Sequence, residues 1–122
     1  MESKYEKGKF AEDAACAFLR NKGYTIIKRN YRRKHGEIDI IAEDRGTLAF
    51  IEVKYRSSLG GGAPREAVTL RKQRAIIGAA KEYIAENSLW DRDMRFDVTE
   101  ILKTGELLKI EHMENAFWPE AE

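Results

Sequence analysis

Residues 36–54 constrain this chain more than any other stretch. Gly36-Glu37-Ile38-Asp39-Ile40-Ile41-Ala42-Glu43-Asp44 and Thr47-Leu48-Ala49-Phe50-Ile51-Glu52-Val53-Lys54 are two apolar-alternating runs that meet at Arg45-Gly46, the pattern of a β-hairpin. Side chains two apart on a strand share a face, so Glu37 joins Asp39 on the first strand and Glu52 joins Lys54 on the second. A two-residue turn at Arg45-Gly46 pairs residue 44 with residue 47. Counting back along that ladder sets Asp39 opposite Glu52 and Glu37 opposite Lys54.

Directly opposed side chains have Cβ atoms about 5 Å apart, so the Asp39 and Glu52 carboxylates are placed to hold one cation. Two bare carboxylates about 4 Å apart repel by roughly 4 kcal/mol at an effective dielectric near 20. A divalent ion relieves this, and an all-oxygen donor set suits Mg²⁺ or Mn²⁺ rather than zinc. The plainer alternative is a solvated hairpin face with cross-strand ion pairs such as Glu37 with Lys54. Against it, Leu48 and Phe50 share the face of Glu52 and Lys54, so that face begins apolar and turns ionic only toward its end.

Asp39, twelve intervening residues and then Glu52-Val53-Lys54 resemble the catalytic signature of the PD-(D/E)XK nuclease superfamily. Glu12-Asp13-Ala14-Ala15, Gly23-Tyr24, Arg29-Asn30, Gly36-Glu37-Ile38-Asp39, Phe50-Ile51-Glu52-Val53-Lys54 and Arg95-Phe96-Asp97-Val98 narrow the likeness. In that order they are similar to a group of small bacterial proteins classed as endonucleases and akin to archaeal Holliday junction resolvases. The resemblance implies a restriction-endonuclease-like α/β sandwich with a mixed central β-sheet flanked by helices. It implies Asp39 and Glu52 as metal ligands helped by the Val53 backbone carbonyl, with Mg²⁺ (or Mn²⁺) as cofactor. Lys54 would orient or deprotonate the attacking water and offset charge on the scissile phosphate, with Glu37 and Glu12 as auxiliary acids. The resolvase likeness further suggests a homodimer. Two positions depart from the pattern: Ile38 stands in place of the superfamily's proline, and Ala11 stands where the bacterial group usually has Gly before the helix glutamate.

At 122 residues and 14.1 kDa the chain is expected to be a single nuclease-like domain, 1–122, with its core over about 8–113 and an acidic aromatic tail at 114–122. No run approaches the roughly 18 apolar residues that span a bilayer, and the opening Met1-Glu2-Ser3-Lys4 has no signal-peptide core, so no membrane association and a cytoplasmic location are expected. Cys16, the single cysteine, falls among helix alanines and reads as a buried, inert thiol. His35 and His112 are too few and too scattered for a His/Cys metal site.

The net charge of +1 conceals a polarity: residues 1–74 hold 17 basic and 10 acidic groups, whereas residues 75–122 hold 5 and 11. Lys28, Arg29, Arg32, Arg33 and Lys34 crowd just before the hairpin, and Arg71, Lys72 and Arg74 crowd the start of a second helix, where cations oppose the helix dipole. A bound phosphate resolves that conflict. With Arg56 between the two groups, these residues form a candidate nucleic-acid surface, DNA being the expected polyanion. A solvated charge run is the ordinary alternative.

Ser3-Lys4-Tyr5-Glu6 fits a capping box for a first helix that ends before Gly23. Its stripe contains Phe10, Ala11, Ala14, Ala15, Phe18 and Leu19, and Glu12 sits at the stripe's edge, facing either a neighbouring site or water. Tyr24 to Asn30 reads as a strand. The run from Tyr55 to Pro64, with Gly60-Gly61-Gly62, reads as a mobile loop, either closing over a substrate or merely connecting. Pro64 suits the first turn of the second helix, striped by Leu70, Gln73, Ile77, Ala80 and Ile84. Gln73 is either a hydrogen-bonded core residue or a contact to water at the metal site. Met94–Leu102 and Glu106–Met113 read as a second hairpin with Phe96 and Val98 facing the core, and Arg95 and Asp97 read as structural. Phe117-Trp118-Pro119 reads as an anchor for the C-terminus, with a dimer contact as the alternative. The functional reading is a metal-dependent endonuclease hydrolysing phosphodiester bonds of DNA, with branched or junction DNA as a candidate substrate; a nucleic-acid-binding module that kept the scaffold without turnover is the alternative.

Overall fold

In a computed structural model, which describes residues 4–57 and 68–119, the elements run α1 (Lys4–Asn21), β1 (Thr25–Arg33), β2 (Gly36–Asp44), β3 (Thr47–Ser57), α2 (Leu70–Glu86), β4 (Met94–Thr104) and β5 (Leu107–Phe117). The five strands form one sheet in chain order. β3 and β4 are parallel, joined through α2, and every other neighbouring pair is antiparallel.

The hairpin forms as its alternation predicts. Arg45 (φ +49°) and Gly46 (φ +87°) make the turn, the left-handed pair that matches strand twist, and Asp44 pairs with Thr47. Alternate residues of β3 then enter two separate cores. Leu48 and Phe50 pack with Ile76, Ala79, Ala80, Tyr83 and Ile84 of α2, whereas Ala49 and Ile51 pack with Ala11, Ala15, Cys16 and Leu19 of α1. The molecule is therefore an α/β sandwich with a mixed sheet between two helices. Cys16 is buried as expected, and burial raises its thiol pKa.

Several boundaries differ from the sequence reading. β1 continues past Asn30, where the sequence reading ended it, to Arg33, so most of the basic run forms the second half of an edge strand. α2 starts at Leu70 behind the N-cap Thr69, whose side chain accepts from the Lys72 N–H. Pro64 lies outside the described residues, as do Ser3 of the capping box and most of the glycine-rich loop. Leu70 is 46% exposed because it sits in the first turn, beyond the sheet's apolar face. The second hairpin is present but longer than expected, running to Phe117, whose ring stacks on Phe96 at 5.3 Å. The tail therefore begins as a docked strand end.

Gly36, the first residue of β2, fixes how close α2 comes. A Cβ there would lie 2.4 Å from the Ala75 carbonyl oxygen, a backbone atom that cannot swing away. Gly36→Ala should cost about 1–3 kcal/mol by overpacking, read as a lower denaturation midpoint with unchanged m-value. Wild-type stability in this variant would mean that the helix does not rest on the strand.

Candidate metal and phosphate site

The β2–β3 ladder is regular from Asp44↔Thr47 to Ile40↔Ile51, and its paired register ends there. One step on, the Asp39 side chain takes the place of a strand partner: its Oδ2 accepts the Val53 N–H at 2.8 Å. The strands part at this point and a carboxylate fills the fork. Glu52, 5% exposed, lies beside it. Lys54 Nζ is 3.7 Å and Lys72 Nζ 3.8 Å from Glu52 Oε2, within ion-pair range but too long for hydrogen bonds. Glu52 Oε1 is buried and has no hydrogen-bond partner.

Burial, and next the negative charge of Glu52, push the Asp39 pKa up to about 7, with the Val53 N–H opposing both. The pair therefore carries a full double charge only at a cost. A hard divalent cation fits this donor set: two carboxylates supply oxygen alone, one oxygen is buried without a partner, and Mg²⁺ ordinarily completes its shell with several waters. Among the described residues no three His, Cys, Asp or Glu side chains converge as a metal group. Of Val53, the described bond to this pair is through its N–H.

The auxiliary acids are placed differently from the simple ladder. Glu37 does not meet Lys54; its Oε2 accepts from Arg32 Nε of β1 at 2.8 Å, because the fork carries β2 away from β3 while β1 stays paired to it. Glu37 still adds to the field that raises the Asp39 pKa. Glu12 is buried rather than facing water, and its Oε1 accepts from both Arg29 Nε and Asn30 Nδ2 at 2.8 Å. Asn30 has φ +53°, a left-handed kink that turns Arg29 and Asn30 together toward α1 while Tyr31 enters the α2 core. Glu12, Glu37, Asp39 and Val53 line one cleft of about 960 Å³.

The predicted basic residues divide by how firmly they are held. Arg29 is committed to Glu12 and Asp13. Arg33 pairs with Glu86 of α2 and lies 4.1 Å over the Tyr31 ring, while Lys28 Nζ is 6.0 Å from the same ring. Lys34 is exposed at the β1–β2 turn. Arg56 is partly buried in β3 and takes part in interactions there. Arg71 and Arg74 are exposed on the first turns of α2, which hold no acid to complement the dipole. Gln73 donates from Nε2 to the Val68 carbonyl at 3.1 Å, closing the chain just ahead of its own helix.

Sequence reasoning missed a second polar cluster. Arg95 donates to both oxygens of Asp97 (3.1 and 3.0 Å), to Tyr24 Oη at 2.6 Å and to Asp44 at 3.2 Å. His112 Nε2 lies 2.9 Å from Asp97 and its Nδ1 2.7 Å from Thr99 Oγ1. Asp97, fully buried, also accepts the Asn115 N–H, so the cluster pins β5 to β4 with its charges paired. The only signal was Arg95 and Asp97 two apart in an apolar strand; Tyr24, Asp44 and His112 are too distant in the chain for periodicity to connect.

Fold and site define a mixed α/β protein with a buried Glu52 and a half-buried Asp39 at a strand fork, flanked by two lysines. The chain belongs to the uncharacterised protein family UPF0102, whose family model matches residues 11–101. It is 47% identical to a UPF0102 protein of Desulforapulum autotrophicum, over 96% of this chain and 98% of the relative. It is 48% identical to one of Chlorobium phaeobacteroides, over 93% of this chain and 94% of the relative, and 45% identical to one of Clostridioides difficile, over 92% and 96%. These names state no activity. Among the described residues no helix is long and apolar enough to cross a membrane.

Proposed function

We propose that this protein is a metal-dependent nuclease with the restriction-endonuclease-like fold, hydrolysing phosphodiester bonds of DNA. One observation carries the reading: Glu52 is buried and Asp39 half-buried beside it at the fork, with Lys54 and Lys72 on the same Glu52 oxygen. Holding a half-buried acid against a buried one is costly to folding, and the backbone group that Asp39 satisfies there is the Val53 N–H, which a neutral side chain could equally accept. Such a cost is met where it serves chemistry.

Asp39 and Glu52 would hold Mg²⁺ or Mn²⁺ between them. When bound, the ion supplies Lewis-acid polarisation of the phosphoryl group and a more acidic water. The Val53 N–H fixes the Asp39 carboxylate, keeping it pointed into the fork. Lys54, on the strand that carries Glu52, presents an ammonium that offsets charge building on the phosphate as the water attacks. Arg32, Lys34, Arg71 and Arg74 would steer the polyanion in from β1 and α2.

Incubating the pure protein with Mg²⁺ or Mn²⁺ and labelled junction, flap, duplex and single-stranded DNA tests the assignment. Cleavage of at least one substrate that stops with chelator is expected. Tight binding with no cleavage anywhere on the panel would convert the reading to a binding module on the same scaffold. Binding itself should be salt-dependent, with a log–log slope near −5 on duplex for about six phosphate contacts. Replacing Arg32 and Lys34 by Ala should flatten it by about two units, since each contact contributes about 0.9. An unchanged slope would take the β1 edge out of the interface.

A further inference from the structure

We propose that the cleft between α1 and the β1–β2 edge receives one unpaired nucleotide, so that the site acts on single-stranded segments rather than within an intact duplex. The inference rests on the nuclease reading for the identity of the ligand, and it adds a place for the base. The cleft, about 960 Å³, falls in the range that encloses a small molecule. Asp39 lines the cleft, so a nucleotide held there lies beside one member of the acid pair.

Two tyrosines line the same space. Tyr5 of α1 is 77% exposed, an aromatic ring in solvent among the charged neighbours Glu6, Lys7 and Lys9. Tyr55 of β3 is half-buried and held edge-on by Phe10, with ring centroids 6.0 Å apart and planes at 82°, which fixes its orientation. Exposed aromatic faces beside cations are how proteins hold unpaired bases, and stacking raises affinity by roughly 5- to 100-fold per base. In a duplex the base faces are already stacked on each other, so a solvent-facing ring gains nothing from them.

Two cations of the cleft can be released, while Arg29 stays with Glu12 and Asp13. Lys9 is paired with Asp13, and Arg32 with Glu37, through exposed side chains, and exposed pairs contribute little, so each can exchange its carboxylate for a phosphate. Asn30, with φ of +53°, also lines the cleft, its Nδ2 held by Glu12.

The test is anisotropy with a fluorescein-labelled 20-nucleotide single strand of mixed sequence, and with its duplex, in chelator so that nothing is cut. Wild type should favour the single strand. Tyr5→Ala should weaken single-strand binding tenfold or more and leave duplex binding within twofold, and Tyr5→Trp should restore it. An unchanged single-strand affinity, or an equal loss on both probes, overturns the inference, and circular dichroism separates either result from misfolding. The two readings fail separately. Cleavage within duplex DNA at the single-strand rate, with Tyr5→Ala silent, removes the nucleotide cleft and leaves the nuclease. The expected Tyr5 pattern without cleavage by wild type on any substrate removes the nuclease and leaves the cleft.

Discussion

Asp39→Asn should abolish divalent-ion binding and, at pH 8 without metal, make the protein more stable than wild type by on the order of 2 kcal/mol, from about 1.4 kcal/mol per pKa unit discounted for solvent screening and relaxation around a half-buried Asp39. In the folded protein the Asp39 pKa rises from 3.8 to about 7, chiefly through burial and then through Glu52. Between those values the native state binds a proton that the unfolded chain has released, so stability falls as pH rises. Asp39 therefore imposes no penalty below about pH 4, an increasing one through the window, and its full penalty above about pH 7. The advantage of Asp39→Asn should follow the same course, vanishing near pH 4. An asparagine oxygen can still accept the Val53 N–H that Asp39 accepts now at 2.8 Å, so the fork keeps its shape. Mn²⁺ should raise the melting temperature of wild type by mass action and leave Asp39→Asn unmoved. Denaturant melts at pH 4 and pH 8, together with calorimetric Mn²⁺ titration, give both readings. Wild-type Mn²⁺ affinity in the variant would remove Asp39 from the ion's ligands, and a variant less stable than wild type at pH 8 would contradict the repulsion argument.

The hairpin was legible because its register depends on two local facts: a turn that only Arg45-Gly46 supplies and an alternation of period two. Those facts carry the pairing from Asp44↔Thr47 to Ile40↔Ile51. They fail one step later. The letters go on alternating through Asp39 and Glu37, but the strands separate, and nothing in a period announces that a side chain will replace a backbone partner. Glu37 was accordingly placed against Lys54 and instead meets Arg32. Asn30 hides a second failure of the same kind. Its left-handed φ reverses the facing of β1, so the basic run became an edge strand whose Arg29 props Glu12 while Tyr31 enters the opposite core. Glu12 was ambiguous from the helix stripe because its burial depends on that kink, and Arg29 and Asn30 are 17 and 18 residues away. The Arg95, Asp97 and His112 cluster was hidden by distance alone. What sequence could supply was the identity of the chemical groups near the fork; what it could not supply was which of them are held and by whom.

Lys54→Ala should lower turnover by about 10²-fold or more while changing nucleic-acid and metal binding little. An ammonium that offsets charge only as the phosphate reacts belongs to the transition state more than to the bound complex, so its loss falls on kcat and kcat/KM together. The geometry makes this a clean experiment. Glu52 Oε2 has two ammonium neighbours, Lys54 at 3.7 Å and Lys72 at 3.8 Å, so removing Lys54 leaves a counter-charge beside the buried acid and the fold survives. Lys72→Ala, from the helix side, should weaken binding more than turnover, because its place on α2 beside Arg71 and Arg74 puts it among the groups that attract phosphate in the ground state. Lys54→Arg should be nearly as poor as Lys54→Ala: a planar, permanently charged guanidinium does not reproduce a compact ammonium beside Glu52. Single-turnover rates on whichever substrate wild type cuts, paired with affinities measured in chelator, separate the two lysines. If Lys54→Ala cuts at the wild-type rate, or if its loss lies wholly in KM, Lys54 is a binding residue and the charge that builds on the phosphate is met by another group.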